Sequence, residues 1–177
     1  MPLLQRLTGK QGTFGMQNKV ARELIEDLAI LVVDNNPHMR RLTRMMLMNL
    51  GAKQVYEAAD GLAALEVVRT VDPDVLVLEH DVPVLTGTEL LRIVRSPEIF
   101  PKPDLPVIML THCAHRKDVM EMMRLGAHEL LVKPTSPKAL QDRLVSVMVK
   151  RRKMVRIGEN YVPQPRRMLS PQSVAAH

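Results

Sequence analysis

Residues 73–87 read PDVLVLEHDVPVLTG, in which four aliphatic residues are followed at once by the carboxylate Glu79. An apolar run of this kind is typical of a strand that is buried on both faces of a parallel sheet. A loop with Pro83 comes next, and Gly87 opens a stretch in which apolar residues recur at helical spacing. The segment therefore predicts a strand, a loop and a helix, with an acidic side chain at the carboxyl end of the strand.

The same unit occurs five times along the centre of the chain. Short β-branched runs predict strands at 30–33, 54–57, 75–78, 107–110 and 129–132. Amphipathic stretches predict helices at 38–50, 61–70, 87–95, 115–125 and 136–150. Repeated strand–helix units imply right-handed crossovers between parallel strands. The sequence therefore predicts an α/β fold with a doubly wound, five-stranded parallel sheet.

The basic charge of the chain is concentrated at its end. The 177 residues have a formal net charge of +6. Residues 29–148 carry 14 basic and 15 acidic side chains, whereas residues 149–177 carry seven basic side chains and one acidic one. Aromatic residues make up only 2% of the chain, which argues against a groove that binds single-stranded nucleic acid by stacking. A nucleic-acid partner is therefore not expected, and binding through the basic end is kept as an alternative function.

The composition also restricts the compartment in which the protein works. Cys113 is the only cysteine, which excludes an internal disulfide framework and fits a reducing compartment. The sequence contains no run of about 18 apolar residues, the length that a membrane span requires. The N-terminus has no apolar core of the kind found in a secretory signal. We therefore expect a cytoplasmic protein that does not bind a membrane.

The chain divides into three segments by pattern and charge. Residues 1–28 predict an N-terminal extension with a short amphipathic helix from Asn18 to Leu28. Residues 29–149 contain the strand–helix units and predict the folded domain. Residues 150–177 predict a basic C-terminal tail, because the apolar period ends and prolines interrupt any helix. Tyr161 and Val162 are the expected anchors of this tail on the domain or on a second protomer.

Polar side chains stand at the carboxyl ends of four of the predicted strands. Asp34 and Asn35 follow the first strand, Glu79 the third, Thr111 the fourth and Lys133 the fifth. In a doubly wound sheet these ends meet at one edge, where ligands bind. A single acidic residue at such a place is commonly a helix cap, but the whole set predicts a functional pocket.

The chain resembles the receiver domain of two-component response regulators. The resemblance covers about residues 29–149 and rests on the motifs ILVVDNNPHMRRL, EAADGLAAL, PDVLVLEHDVPVLTG, LPVIMLTH and LGAHELLVKP. It implies a CheY-like, flavodoxin-like fold with strand order 2-1-3-4-5 and five flanking helices. It also implies a signalling protein rather than an enzyme. In this family an aspartate accepts a phosphoryl group from a kinase histidine, with Mg²⁺ held by an acidic pair and that aspartate.

The resemblance assigns a role to each pocket residue. Asp34 matches the first acid of the pair, and Glu79 occupies the phosphoacceptor position. Thr111 matches the switch hydroxyl, and Lys133 matches the lysine that binds the phosphoryl group. Asp81 lies where the family mainly uses a backbone carbonyl, so we expect it to have a turn or loop role rather than to accept phosphate.

The chain departs from the family at the positions that the chemistry needs most. Asn35 replaces the second acid of the pair, and Glu79 replaces the acceptor aspartate. Leu130 stands where the family has an aromatic switch residue. His112 follows Thr111, where a small residue normally leaves room for the phosphoryl group, so we expect crowding.

These departures predict a receiver that is not phosphorylated at the usual position. Glu79 is one methylene longer than Asp, which moves its oxygens by about an ångström from the position for in-line attack. Asn35 removes a carboxylate that Mg²⁺ would prefer, so no cofactor is expected; any Mg²⁺ would have to rely on Asp34 and Glu79. We expect an ion pair between Glu79 and Lys133. It either imitates the phosphorylated state or is a structural remnant.

Two further features indicate contacts with other proteins. In the first predicted helix, Leu42 is assigned to the buried stripe, whereas Met45 and Met48 lie off it beside Arg41. Because methionine repacks easily, this surface predicts a partner, either a histidine kinase or another two-component protein, or a second copy of the chain. The tail, KRRKMVRIGENYVPQPRRM, resembles the extensions of some single-domain alphaproteobacterial receivers.

The sequence thus predicts an atypical, stand-alone response regulator that acts by protein contacts, as a homodimer. One alternative is a phosphorelay intermediate that is phosphorylated on Glu79 or Asp81. The other is the nucleic-acid binder already named.

Overall fold

A computed structural model describes residues 14–112 and 115–164. The helices in these ranges are α1 (Phe14–Glu26), α2 (Pro37–Asn49), α3 (Gly61–Val71), α4 (Gly87–Arg95), α5 (Arg116–Arg124) and α6 (Pro137–Val149). The strands are β1 (Ala29–Val33), β2 (Gln54–Ala58), β3 (Val75–Glu79), β4 (Val107–Thr111), β5 (Glu129–Val132), β6 (Met154–Ile157) and β7 (Asn160–Pro163). None of these helices has the length and apolarity needed to cross a membrane.

Strands β1 to β5 form one parallel sheet in the order β2-β1-β3-β4-β5. This confirms the predicted α/β fold and its strand order. The boundaries of β1–β5 and α2–α6 differ from the predicted ones by at most one residue. The differences have one consequence for the pocket: Glu79 and Thr111 are the last residues of β3 and β4 rather than the first residues beyond them.

Helices cover both faces of the sheet, and alternate strand residues point to opposite faces. Leu31 and Val33 of β1 pack with buried residues of α3, α4 and α5. Ile30 and Val32 pack on the other face with buried residues of α1, α2 and α6. Burial on both faces explains why these strands are continuous apolar runs in the sequence.

Short polar signals fix where the helices begin after the strands. The Asn36 side chain accepts hydrogen bonds from the backbone N–H groups of His38 and Met39, and it caps α2. Thr86 and Glu89 form a reciprocal capping box at the start of α4. Ser136 caps α6 by accepting from Ala139 N. These hydrogen bonds satisfy backbone N–H groups in the first turns of α2, α4 and α6.

The described part of the N-terminal extension, residues 14–28, belongs to the folded body. Helix α1 begins at Phe14, four residues before the predicted start at Asn18, and packs against α6. Its Ile25 side chain is completely buried. Gly51, at φ +112°, leaves space for α1, because a Cβ there would lie 2.7 Å from Cγ of Arg22. Residues 1–13 lie outside the described part of the chain.

The expected C-terminal tail contains a folded element, which corrects the prediction for residues 150–164. Strands β6 and β7 form an antiparallel hairpin in which Val155 pairs with Val162, and β7 packs against α4. Val162 is buried, and Arg156 binds Glu98 at 3.0 Å, so the hairpin is anchored on the chain's own body.

Four-residue strands are too short to show a period in the sequence. The two-residue turn Gly158–Glu159, with positive φ at Gly158, was the available signal. Residues 165–177 lie outside the described part.

Candidate functional site

The pocket lies at the carboxyl edge of the sheet, where the parallel strands end. Asp34 follows β1, Glu79 and Thr111 end β3 and β4, and Lys133 follows β5. All four are buried, with Glu79 exposing 2% and Thr111 none of its surface. The structure therefore brings together the four residues that the sequence placed in one pocket.

Lys133 joins the two carboxylates of the pocket. Its Nζ atom donates to Asp34 Oδ2 at 2.6 Å, and it also contacts Glu79 Oε2. The predicted ion pair between Glu79 and Lys133 is present, and Asp34 extends it to a buried triad. One positive and two negative charges leave the triad with a formal charge of −1.

Backbone N–H groups bind the remaining carboxylate oxygens. Asn36 N donates to Asp34 Oδ1 at 2.9 Å, and Asp81 N donates to Glu79 Oε1 at 3.3 Å. Each of the four carboxylate oxygens therefore has a partner within the chain. A buried carboxylate needs such partners, because desolvation without them is costly.

The protonation of Lys133 is set by two opposing effects. Burial lowers the pKa of Lys133, but its hydrogen bonds to Asp34 and Glu79 and the charges of both carboxylates raise the pKa above its usual value. Lys133 is therefore an ammonium at neutral pH. The Lys133 ammonium, held between the two carboxylates, supplies positive charge that a bound metal ion would otherwise have to supply.

The donor set fits Mg²⁺ poorly. Mg²⁺ prefers carboxylate and water oxygens in near-octahedral geometry, but one oxygen of Asp34 and one of Glu79 are bound by Lys133. Asn35 is exposed, and its side chain is an amide rather than a carboxylate. Within residues 14–112 and 115–164, no three or more His, Cys, Asp or Glu side chains form a group suited to holding a metal ion.

The positions around the triad that the sequence singled out differ in how exposed they are. Leu130 is half-buried and packs against the core under α3, α4 and α5. His112 is exposed, and the predicted crowding by His112 stays a prediction. The Asp81 side chain is 75% exposed and only its backbone reaches Glu79. Asp81 therefore lies in the loop after β3, and the expectation that it does not accept phosphate stays a prediction.

Two residues that contact the site, Asn36 and Arg40, were not identified from the sequence. Asn36 caps α2 and holds Asp34 through its backbone N–H. Arg40 lies one turn further along α2, and its guanidinium donates to the Asp34 carbonyl at 2.6 Å and lies 3.5 Å from Glu57. The Asn–Pro pair before a helical period was the signal for the cap. Nothing in the sequence distinguished Arg40 from its neighbour Arg41.

The outer face of α2 carries an exposed apolar surface. Met45 and Met48 expose 54% and 50% of their surface, and Arg41 is also exposed. Leu42, which was assigned to the buried stripe, exposes 42%, so that assignment is wrong. The buried residues of α2 are Thr43, which the same predicted stripe included, and Leu47; Leu42 lies about 100° around the helix from Thr43. Leu42 therefore enlarges this surface, which we call the α2 methionine surface (Arg41, Leu42, Met45 and Met48).

Comparison with known families and proteins gives one consistent picture. The family described as "Response regulator receiver domain" matches residues 30–145. The chemotaxis protein CheY-3 of Vibrio cholerae is 34% identical over 121 residues, covering 68% of this chain and 92% of that protein. The chemotaxis protein CheY of Pseudomonas aeruginosa is 34% identical over 120 residues, covering 68% of this chain and 95% of that protein.

Solved structures agree with the sequence comparison. The receiver domain of a Francisella response regulator superposes with a TM-score of 0.63 at 27% identity, covering 71% of this chain and 98% of that one. The chemotaxis response regulator CheY4 of Vibrio cholerae gives a TM-score of 0.61 at 31% identity, covering 68% and 98%. The receiver domain of a Pseudomonas aeruginosa sensor histidine kinase, with a magnesium ion in its active-site cleft, gives 0.60 at 28% identity, covering 67% and 94%.

Proposed function

Because this chain belongs to the response regulator receiver family, we propose that it is an atypical receiver that signals through protein contacts without being phosphorylated at Glu79. It works in two-component signal transduction as an adaptor and not as an enzyme. Its proposed compartment is the cytoplasm, because a chain with one cysteine fits a reducing environment.

The buried triad of Asp34, Glu79 and Lys133 is the observation that supports this proposal. Phosphoryl transfer depends on a carboxylate oxygen in line with the phosphorus and on a metal ion that neutralises the developing charge. Both oxygens of Glu79 have partners, and one of those partners is the Lys133 ammonium. Attack through Oε2 would require Glu79 to release Lys133, and attack through Oε1 would require it to release the Asp81 N–H.

The dependence of phosphoryl transfer on a metal ion also argues against phosphorylation at Glu79. The similar Pseudomonas domain holds a magnesium ion in its cleft. In this chain, each carboxylate of the triad gives one oxygen to Lys133 and the other to a backbone N–H group, so such an ion would have to compete with these donors. The exposed amide of Asn35 offers no compensating charge. Asp34 and Glu79 thus pair with Lys133, with no need for a metal ion or a phosphoryl group.

The α2 methionine surface is the proposed contact for signalling. It combines exposed apolar side chains with the positive charge of Arg41. Such a surface suits a partner that contributes an apolar helix face with acidic residues. The partner is a histidine kinase, another two-component protein or the second subunit of a homodimer.

Acetyl phosphate tests the proposal directly. The protein is incubated with acetyl phosphate and Mg²⁺, and its intact mass is measured. We expect no phosphorylated species in the natural chain and a labile phosphorylated species in Glu79→Asp, more strongly when Asn35→Asp is added. Asp81→Asn in the natural background is the matched control for a neighbouring acceptor. A stoichiometric adduct on the natural chain that survives Asp81→Asn and is lost in Glu79→Gln contradicts the proposal.

A further inference from the structure

A second exposed apolar surface lies at the start of α3 and in the loop between β3 and α4. Leu62 in the first turn of α3 exposes 57% of its surface, and Val84 in the loop exposes 76%. The two segments are in contact, because a Cβ atom at Gly61 would lie 2.6 Å from Cβ of Leu85. Leu62 follows Gly61 and Val84 precedes Leu85, so the two exposed residues flank this contact.

Carboxylates accompany these apolar side chains. Glu66 is exposed one turn after Leu62 on the same side of α3, and the Asp81 side chain is exposed in the loop of Val84. The cap and helix of α3 and the loop 80–86 contain three acidic residues and one basic residue, which are Asp60, Glu66, Asp81 and Arg69. With histidine counted as neutral, this region has a formal charge of −2. We call its exposed part the α3 acidic surface (Leu62, Glu66, Asp81 and Val84).

The α2 methionine surface lies on a helix of the opposite charge. Helix α2 contains three arginines and no acidic residue. Glu57 of β2 lies 3.5 Å from Arg40 and 3.6 Å from Arg44, so α2 and Glu57 together have a formal charge of +2. The third arginine, Arg41, is exposed and belongs to the α2 methionine surface itself. The two surfaces therefore have complementary charges as well as exposed apolar side chains.

The arrangement of the two surfaces restricts how they can meet. Helix α2 packs on one face of the sheet through Leu47, and α3 packs on the other through Ala64, so the two surfaces of one chain do not face each other. Two copies of the α2 methionine surface would bring like charges together, which disfavours a symmetric contact. A contact between unlike surfaces of two copies instead brings opposite charges together.

The backbone of Val84 also favours a contact outside the chain. Its φ of 68° lies in the left-handed region, where a β-branched residue is strained. The exposed side chain gains little packing within the described part of the chain that could offset this strain. Strained residues cluster at binding and switch sites. A partner that packs on Val84 supplies the apolar contact that the chain itself does not.

We propose that the α2 methionine surface of one copy docks on the α3 acidic surface of a second copy. The apolar side chains of the two surfaces pack together, and Arg41 faces Glu66 and Asp81. This pairing rests on the contact role proposed for the α2 methionine surface, and it holds whether or not Glu79 accepts a phosphoryl group. Because the two surfaces differ, each pair of copies keeps one free surface of each kind. Association therefore continues beyond the dimer unless a ring closes.

Sedimentation velocity of the full chain at increasing protein concentration tests the pairing. We expect the natural chain to form species larger than the monomer. Its association should be at least about tenfold weaker at about 0.5 M salt than at about 0.05 M salt, because salt screens exposed charges.

Two variants remove the apolar side chains of one surface each. Met45→Gln/Met48→Gln changes the α2 methionine surface, and Leu62→Gln/Val84→Asn changes the α3 acidic surface. Asparagine tolerates the left-handed conformation at position 84, so the second variant keeps the loop. Each variant should self-associate at least about tenfold more weakly than the natural chain, because two apolar side chains are lost from the contact.

Mixing the two variants distinguishes this pairing from a symmetric one. Met45→Gln/Met48→Gln keeps an intact α3 acidic surface, and Leu62→Gln/Val84→Asn keeps an intact α2 methionine surface. An equimolar mixture should therefore form a dimer of one copy of each, which does not grow at higher concentration. A symmetric contact between two α2 surfaces would instead leave Leu62→Gln/Val84→Asn as associated as the natural chain.

Ile99→Gln is the matched control, because Ile99 is an exposed aliphatic residue in the loop between α4 and β4, outside both surfaces. It should associate as the natural chain does. Four results overturn the proposal: a natural chain that stays monomeric, undiminished association of Leu62→Gln/Val84→Asn, a mixture that forms no dimer, or an equal loss in Ile99→Gln. The acetyl phosphate result at Glu79 does not depend on any of these outcomes.

Discussion

Lys133 determines the charge balance of the buried pocket. Its side chain exposes only 3% of its surface and contacts both carboxylates of the triad. Removing one partner of a buried ion pair leaves an uncompensated charge, which costs more than the pair itself contributes. The stability of the fold therefore depends on Lys133 more than on any exposed lysine.

Replacing Lys133 with methionine tests this dependence. Lys133→Met leaves two buried carboxylates without their cation, and we expect the free energy of unfolding to fall by about 3 kcal/mol. Urea unfolding at neutral pH measures the change. Lys138→Met is the matched control, because the exposed pair Lys138–Asp142 should contribute less than about 1 kcal/mol. Equal and small losses in the two variants would show that Lys133 is not required by the triad.

His128 makes the stability of the domain depend on pH. Burial, together with the charges of Arg95 and Arg152, lowers the pKa of His128 from 6.5 to about 3 in the folded state. The unfolded chain therefore takes up a proton at a pH where the folded chain does not. This contribution is fully present above pH 6.5 and is lost as the pH falls toward 3. We expect a loss of about 1 kcal/mol between about pH 7 and pH 5.5.

His128→Gln isolates this effect. The amide oxygen keeps an acceptor for Arg95 and for Val107 N but does not titrate. The free energy of unfolding, measured in urea at each pH, should decrease less steeply for His128→Gln than for the natural chain. Parallel pH profiles for the two proteins would refute the assignment of this loss to His128.

At the scale of elements, the C-terminal hairpin is docked through buried residues of β7, Val162 and Pro163. Val162 is 5% exposed, whereas Ile157 near the turn is 62% exposed. A carboxylate at position 162 could not be buried without a partner, so Val162→Asp should release β6 and β7 from α4. We expect hydrogen exchange at Val155 and Ile157 to accelerate at least about tenfold while β3 and β4 stay protected.

Ile157→Asp is the control for the hairpin, because it places the same charge on the same element at an exposed position. It should leave the exchange rates of the hairpin near those of the natural chain. The docking of the hairpin through Val162 is contradicted if both variants exchange alike.

The accuracy of the sequence-based assignment differed between elements for a physical reason. Strands β1, β3 and β4 are mostly or wholly buried, so each contains a run of four apolar residues that stands out from its loops. The hairpin has only four residues in each strand, and part of β6 is exposed. Its register depends on the turn at Gly158 and on packing against α4, and neither produces a period in the sequence.

At the scale of the whole molecule, topology made the pocket predictable. Parallel strands deliver their carboxyl ends to one edge, so the positions of Asp34, Glu79, Thr111 and Lys133 followed from the strand assignments. The individual contacts did not follow. The long Lys133 side chain can reach several acceptors, and its choice of Asp34 and Glu79 depends on three-dimensional distances.

The response of the pocket to beryllofluoride tests most directly whether the triad excludes phosphoryl chemistry. Beryllofluoride with Mg²⁺ imitates a phosphoryl group on an acceptor carboxylate, and isotope-labelled protein reports on it through the amide signals of Thr111 and Lys133. In the natural chain we expect both signals to stay in place, whereas in Asn35→Asp/Glu79→Asp they should shift. A saturable shift of both signals in the natural chain, abolished by Glu79→Gln, would contradict the closed triad.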